Sequence, residues 1–354
     1  MTTYIIRRLL LVPVLLFGVT VLIFAMLQLL SPVERSALYV RDIPKNEKVL
    51  DGIIKKYGLD QPLHVQYWRW LVGTTNQLTG GREGGILFGN FGYSRVGSQP
   101  VADLINTRFP NTLDLTLWAV APVILVGIWL GVQAAVHQNG LIDQAARIFS
   151  IVGTSFPTFV FGLLMLLIFY ANVQWFPPGR LSEWANAIVT GGEFRTYTNL
   201  LTFDALLNGR VDIFWDAFKH MILPILTLSY LSWATFLRVT RSSMLEVLRQ
   251  DYVTTARAKG LHERDVIFKH ARPNAMISVV TLAGFSVVGL LGGVVITETV
   301  FDFPGIGKAA AEAAGALDVV TILGFALFNG VILIVANLVV DVIYAFVDPR
   351  VRLS

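Results

Sequence analysis

Six apolar stretches, each long enough to thread a bilayer as a helix, constrain this chain more than any other feature. About 20 helical residues cross a hydrocarbon core. The stretches run from Leu9 to Leu30, Leu113 to Val136, Ile148 to Ala171, Met221 to Leu237, Met276 to Ile296 and Val319 to Val347. Composition agrees: 54% of residues are hydrophobic and 15% charged, against roughly 25% charged in a soluble domain, and mean hydropathy is +0.62. The expected fold is therefore an all-α polytopic membrane protein of six transmembrane helices. The fourth stretch is the shortest and is interrupted by Pro224, so its helix is expected to start upstream, within Phe214 to His220. Pro13, Pro122, Pro157 and Pro224 read as kinks, which a helix bundle tolerates when neighbours satisfy the freed carbonyls. The first stretch is expected to stay as a helix, because its apolar run exceeds a signal h-region and no A-x-A site follows Leu30.

Orientation follows from Lys and Arg in the short loops. Arg238, Arg241, Arg249, Arg257, Lys259, Arg264, Lys269 and Arg272 lie between the fourth and fifth stretches, Arg7 and Arg8 precede the first, and Arg350 and Arg352 follow the last. With an even number of spans these all fall on one side, so both termini are expected in the cytoplasm. Residues 1–30 then form an N-terminal transmembrane helix, 31–110 a sizeable external cap, and 111–354 a five-helix core with a cytoplasmic loop over about 238–275. The cap has helical spacing at Glu47 to Tyr57 and Leu63 to Val72, then a Gly-rich turn region from Gly80 to Gly92. A second outer loop opens on Trp175-Phe-Pro-Pro-Gly179, which suits a headgroup interface.

Several fragments imitate catalytic signatures. Gly305-Ile-Gly307-Lys308 resembles the end of a phosphate loop, but Asp302 and Ala309 stand where Gly and Ser or Thr are needed. His262-Glu263 opens like a zinc-protease helix, but Val266 occupies the second His position. With no cysteine and five scattered histidines, no metal, cofactor or nucleophile site is expected on this chain. The charge of +4 comes in patches between apolar segments, so no nucleic-acid stripe forms. Membrane lipid is the expected surround. Within the spans Asp341 is the principal ionisable residue, with Asp114 and Glu298 near ends. Asp341 follows Asn337 by one turn and is expected to bridge helices, while Asp114 is expected in the first turn of its helix. An ion-coupled carrier would need relays at bilayer depth, so a solute carrier of this composition would draw its energy from another subunit.

The loop from Arg238 to Asn274 is the most informative stretch. Asp251 is placed to cap a helix with Thr255, Ala256 and Ala258 on a small face, and Gly260 to end it. A short helix closed by a tight turn suits a docking knob; a basic linker that meets anionic headgroups fits the same residues.

Ala256, Gly260 and Pro273 fall at the spacing of the EAA loop of ATP-binding-cassette importer permeases. Tyr4-Ile-Ile-Arg-Arg8, Tyr57-Gly-Leu-Asp-Gln-Pro62, Gly89-Asn-Phe-Gly-Tyr-Ser94, Arg238-x-x-Arg241-Ser-Ser-Met, Asp251-Tyr-Val-x-Thr-Ala-Arg-Ala-Lys-Gly260, Glu298-Thr-Val-Phe and Asp348-Pro-Arg350 follow the order of the first permease subunit of the dipeptide/oligopeptide class, which the chain resembles over nearly its whole length. Thr254 replaces the loop's Glu, His270 and Arg272 its Ile and Leu, and Pro32-Val-Glu34 stands where the class often has Pro-Gly-Asp-Pro. The resemblance implies a type I importer fold in a prokaryotic inner membrane. It also implies a homologous second permease subunit, two ATPase subunits that carry ATP and Mg, and an external solute-binding protein. The coupling helix would comprise Thr255, Ala256, Ala258, Lys259, Gly260, Leu261 and His262, with Arg238, Arg241, Asp251 and Pro273 as hinge or structural positions. Peptides are the implied solute, with oligosaccharides or nickel complexes as alternatives. An ion-coupled carrier or a non-transporting scaffold are the readings from other classes.

Overall fold

A backbone in lipid finds no water, so an apolar run of this length closes its hydrogen bonds within itself as a helix. The computed structural model describes residues 2–40, 46–75 and 82–347. Asp348-Pro-Arg350, Arg352, Gly80 and Gly81 lie outside the described residues. In chain order the helices are α1 (Thr2–Leu27), α2 (Pro32–Arg35), α3 (Glu47–Tyr57), α4 (Leu63–Val72), α5 (Val101–Val136), α6 (Leu141–Ser155), α7 (Thr158–Met165), α8 (Glu183–Thr190), α9 (Leu201–Leu207), α10 (Val211–Leu248), α11 (Asp251–Ala258), α12 (Glu263–Asp265), α13 (Arg272–Leu291), α14 (Val295–Val300), α15 (Ile306–Gly315) and α16 (Val319–Val347). Of these, α1, α5, α10, the continuous Glu263–Leu291 run and α16 are long and apolar enough to cross a membrane.

The stretch from Ile148 to Ala171 is not one kinked helix. It is a pair, Leu141–Ser155 and Thr158–Asn172, bent by 103°. Pro157 disfavours helical geometry at the residue before it, and Phe156 accordingly sits at φ −89°, ψ 125°. The fifth stretch ends at Leu291 rather than Ile296, because Gly293 turns at φ 93°. The fourth helix starts upstream of Met221, but at Val211, before the Phe214 to His220 segment where its start was expected.

The chain divides into two units, residues 111–304 with 336 onward, and residues 2–110 with 305–335. In the first unit α10 is the central mast and packs against α6, α7, α9 and α13. Gly127 and Gly131 let α5 meet α10: a Cβ on Gly127 would lie 2.5 Å from Phe236 Cβ, and one on Gly131 2.5 Å from Thr240 Cβ and 2.9 Å from the Leu237 carbonyl oxygen. This is the small-xxx-small spacing by which membrane helices approach closely. Gly131→Val is expected to destabilise the unit by about 1–3 kcal/mol through overpacking. Gly289→Val, at a site with nothing within 4 Å, is the control, and reversible unfolding in micelles compares them.

In the second unit α1 packs on α4 through Ile23, Leu27 and Trp70. Asp318 precedes α16 and accepts from Ser94 Oγ (3.2 Å), the Arg95 and Val96 amides (2.8 and 3.2 Å) and Thr321 Oγ1 (2.6 Å). Burial works to raise the pKa of this carboxyl, but the hydrogen bonds outweigh it and the net shift is downward.

Candidate functional site

The candidate residues of the loop after the fourth apolar stretch assemble at one end of α10. That helix stops at Leu248, and after the extended Gln250 the chain turns into α11. Asp251 is not the cap; Gln250 occupies that position and its side chain makes no capping bond, so Asp251 stands in the first turn, where a carboxylate complements the dipole. Gly260 ends the helix at φ 75°. The Gly260 amide donates to the Arg257 carbonyl at 2.9 Å and the Leu261 amide to the Ala256 carbonyl at 3.4 Å. Together these form a Schellman closure, which needs a left-handed residue where glycine now sits. An ion pair from Arg257 Nη2 to Glu263 Oε1 at 2.7 Å spans the turn from outside.

Ala256 does not share an outward face with Thr255 and Ala258. It is buried with Val253 against Val132, Met244, Val266 and Ala271, because residues three apart on a helix share a face and Val253 leads that face inward. α11 presents Asp251, Tyr252, Thr254, Thr255, Arg257 and Ala258 to solvent, and the turn after it presents Lys259, Gly260, Leu261 and His262. Leu261 is 42% exposed and Tyr252 43%, so the knob carries two apolar contacts on a polar rim.

Pro273 falls in the first turn of α13, just after the wide turn Val266–Ala271, which adopts π geometry. A proline ring crowds the carbonyl four residues earlier and lacks the amide that would bond it. A π-bulge at that place relieves both conflicts, so the helix continues without a break.

Arg238 is exposed on α10. Arg241 faces inward to a residue the sequence reading passed over, Asp143 of α6. Arg241 Nε reaches Asp143 Oδ1 at 2.5 Å and Nη2 reaches Oδ2 at 2.9 Å; Arg147 Nη2 and the Asn139 amide add bonds of 2.6 and 2.9 Å to Oδ2. Asp143 is wholly buried. The Asp143–Arg147 spacing of i, i+4 on an amphipathic helix was the available signal.

A second buried cluster lies in the same unit. Asp114 stands well inside α5, since that helix begins at Val101, so the first-turn expectation is corrected. It is buried, pairs with Arg180 and accepts from Thr202 Oγ1 at 2.5 Å. Burial pushes the Arg180 guanidinium down from its ordinary range. Glu298, also buried, accepts from Thr112 Oγ1 at 2.7 Å. Asp341 is half-buried on α16. Among the described residues no group of three or more His, Asp and Glu could hold a metal ion.

Residues 90–353 match the family "Binding-protein-dependent transport system inner membrane component", and residues 1–116 match its N-terminal companion, "Binding-prot-dependent transport system membrane comp, N-term". The chain is 36% identical over 335 residues to the probable D,D-dipeptide transport system permease protein DdpB of Escherichia coli (strain K12), covering 94% of this chain and 93% of that protein. It is 35% identical over 353 residues to the oligopeptide transport system permease protein AppB of Bacillus subtilis (strain 168), covering 99% and 100%. It is 35% identical over 353 residues to the glutathione transport system permease protein GsiC of Salmonella paratyphi A (strain ATCC 9150 / SARB42), covering 99% of each chain. Long apolar helices, an EAA-type loop closed at Gly260 and these matches together carry the assignment: the chain belongs to the binding-protein-dependent transport system inner membrane component family and is a multi-pass permease subunit.

Proposed function

We propose that this permease passes peptides or similarly small solutes delivered by an external binding protein, and that ATPase subunits drive it through the Thr255–His262 knob. The observation that carries this reading is the exposed, Schellman-closed turn of α11 at the EAA position. A knob must be rigid to transmit a stroke. The buried face of Val253 and Ala256 ties it to α10 and to the turn before α13, so a push on Leu261 or His262 would tilt those helices rather than bend a loop. Switching between two packings of kinked helices needs no catalytic group on the chain itself.

In this reading the partners are a second homologous permease subunit, two ATP-binding subunits that hold ATP and Mg, and the binding protein. Both termini and α11 face the cytoplasm, and the segment around 31–100 faces outward. The relatives named for dipeptides, oligopeptides and glutathione support a short peptide as solute.

The natural absence of cysteine makes a direct test available. Thr254→Cys and Asn90→Cys are expected to label with an impermeant maleimide from opposite faces of sealed vesicles; labelling from one face overturns the orientation. The purified chain is expected to hydrolyse no ATP and to recover ATP-dependent peptide uptake on reconstitution with its companions. Uptake against a gradient by the chain alone overturns the proposal.

A further inference from the structure

Three helices of the first unit leave an open apolar groove between them. It is lined from Val126 to Gln133 on α5, from Ile142 to Phe149 on α6, and by Trp233 and Leu237 on α10, and holds about 600 Å³. On α5 and α6 the lining positions recur at i, i+3, i+4 and i+7, so one stripe of each helix faces the groove. Its floor is closed, since Ala146 and Leu237 are buried together with Ala134. Its mouth is open, with Trp129 59% exposed and Ile142 47%. Leu125, Ile148 and Val152 on the same helices are exposed as well, so the mouth continues the apolar surface that α5 and α6 offer to lipid.

One end of the groove is charged. Gln133 and Ile142 mark the end beside the turn that joins α5 to α6. Arg147 reaches the same turn, with Nη2 at 2.6 Å from Asp143 Oδ2 and 3.5 Å from Asn139 Oδ1. Asp143 is shared with Arg241, whose Nε lies 2.5 Å from Oδ1. Two guanidinium groups on one carboxylate leave a net positive charge, and the half-exposed Arg147 carries it to the surface. The groove runs about 10 Å along α6, and a helix segment of that length would fill about 800–1,100 Å³. That exceeds the space present, whereas a single hydrocarbon chain is thinner. An apolar slot with a cation at one end matches a lipid whose headgroup is anionic, the pattern of basic pockets between membrane helices. We propose that α5, α6 and α10 hold one acyl chain of an anionic phospholipid in this groove, with its phosphate against Arg147.

The test uses the full chain in dodecyl maltoside micelles, with dimyristoyl phosphatidylglycerol or phosphatidylcholine carrying a mid-chain diazirine as probes. Intact mass counts the lipid attached after illumination, and peptide mapping places it. One phosphatidylglycerol per chain is expected to bind saturably and to label within 126–149 or 233–237. Phosphatidylcholine is expected to need about fivefold more lipid for half-saturation, the fold-change of the ~1 kcal/mol that one basic residue contributes beside an anionic lipid. Arg147→Gln is expected to bring phosphatidylglycerol to the phosphatidylcholine level. Ala145→Trp, which fills the groove from an exposed lining position, is expected to abolish both. Ile151→Trp, on an exposed flank of α6 outside the groove, is expected to change neither. Arg147→Gln alters only a half-exposed side chain, so it decides the matter should Ala145→Trp not fold. Label outside the groove, equal binding of the two lipids, or wild-type binding in Ala145→Trp overturns the site. So does protection of Ala145→Cys from maleimide by a co-purified second permease subunit in lipid-free detergent, which would give the groove to that subunit.

Discussion

Asp143→Asn is expected to destabilise the α6–α10 contact by about 3–5 kcal/mol, the range for removing one partner of a buried ion pair. Asp143 is wholly buried and receives Arg241 through both of its oxygens. An asparagine keeps one acceptor and turns an amide donor toward the guanidinium, so the Arg241 charge stays in place without its counter-charge. Arg147 contributes less: its side chain is 49% exposed and on removal water replaces it, so Arg147→Ala is expected to cost under about 1 kcal/mol. Denaturant unfolding of the purified chain in bicelles measures each variant. The double variant Asp143→Leu with Arg241→Leu supplies the sign, because an apolar pair of similar bulk is expected to recover most of the loss. Wild-type stability in Asp143→Asn would show that the pair does not hold these helices together.

Gly260→Arg is expected to leave the protein inserted but to reduce ATP-driven uptake on the order of 100-fold, the upper range of a coupling free energy between sites. The separation of effects comes from Gly260→Ala. A Cβ at Gly260 meets nothing within 4 Å, so alanine brings only the strain of φ 75°, roughly 1–2 kcal/mol for an L residue. Arginine brings the same strain together with bulk and charge on the face formed by Lys259, Leu261 and His262. Uptake and ATPase co-purification should therefore fall far more for arginine than for alanine while protein levels stay comparable. Parallel loss of protein and uptake in both variants would make Gly260 a folding residue only.

The legible part of this molecule was the part governed by transfer into lipid. The long apolar helices were placed by hydropathy, and the turn at Gly260 was placed by its motif. The start of α10 and the place of Asp114 were misjudged for one reason. α10 begins at Val211 although Asp212, Asp216 and His220 lie in its first turns; Asp216 accepts from the Ser182 amide and hydroxyl at 2.8 and 2.6 Å, and hydropathy counts such a satisfied carboxylate as though it faced lipid alone. Asp114 was misread in the same way, since its partners Arg180 and Thr202 are distant in sequence. The Gly127-xxx-Gly131 spacing was visible throughout, but only the approach of Phe236 and Thr240 identifies which helix it admits.

By itself the sequence determined that the chain lives in a bilayer, roughly where it crosses, and that a glycine-closed helix stands in the loop after α10, because burial of apolar side chains and the φ demanded at a helix end are local properties. Tertiary structure alone decided that Ala256 points inward, that the third apolar stretch breaks by 103°, and which acids meet which arginines. Those outcomes depend on the partner a side chain reaches across space, and a polar group in an apolar surround changes from a penalty to a clasp when that partner arrives.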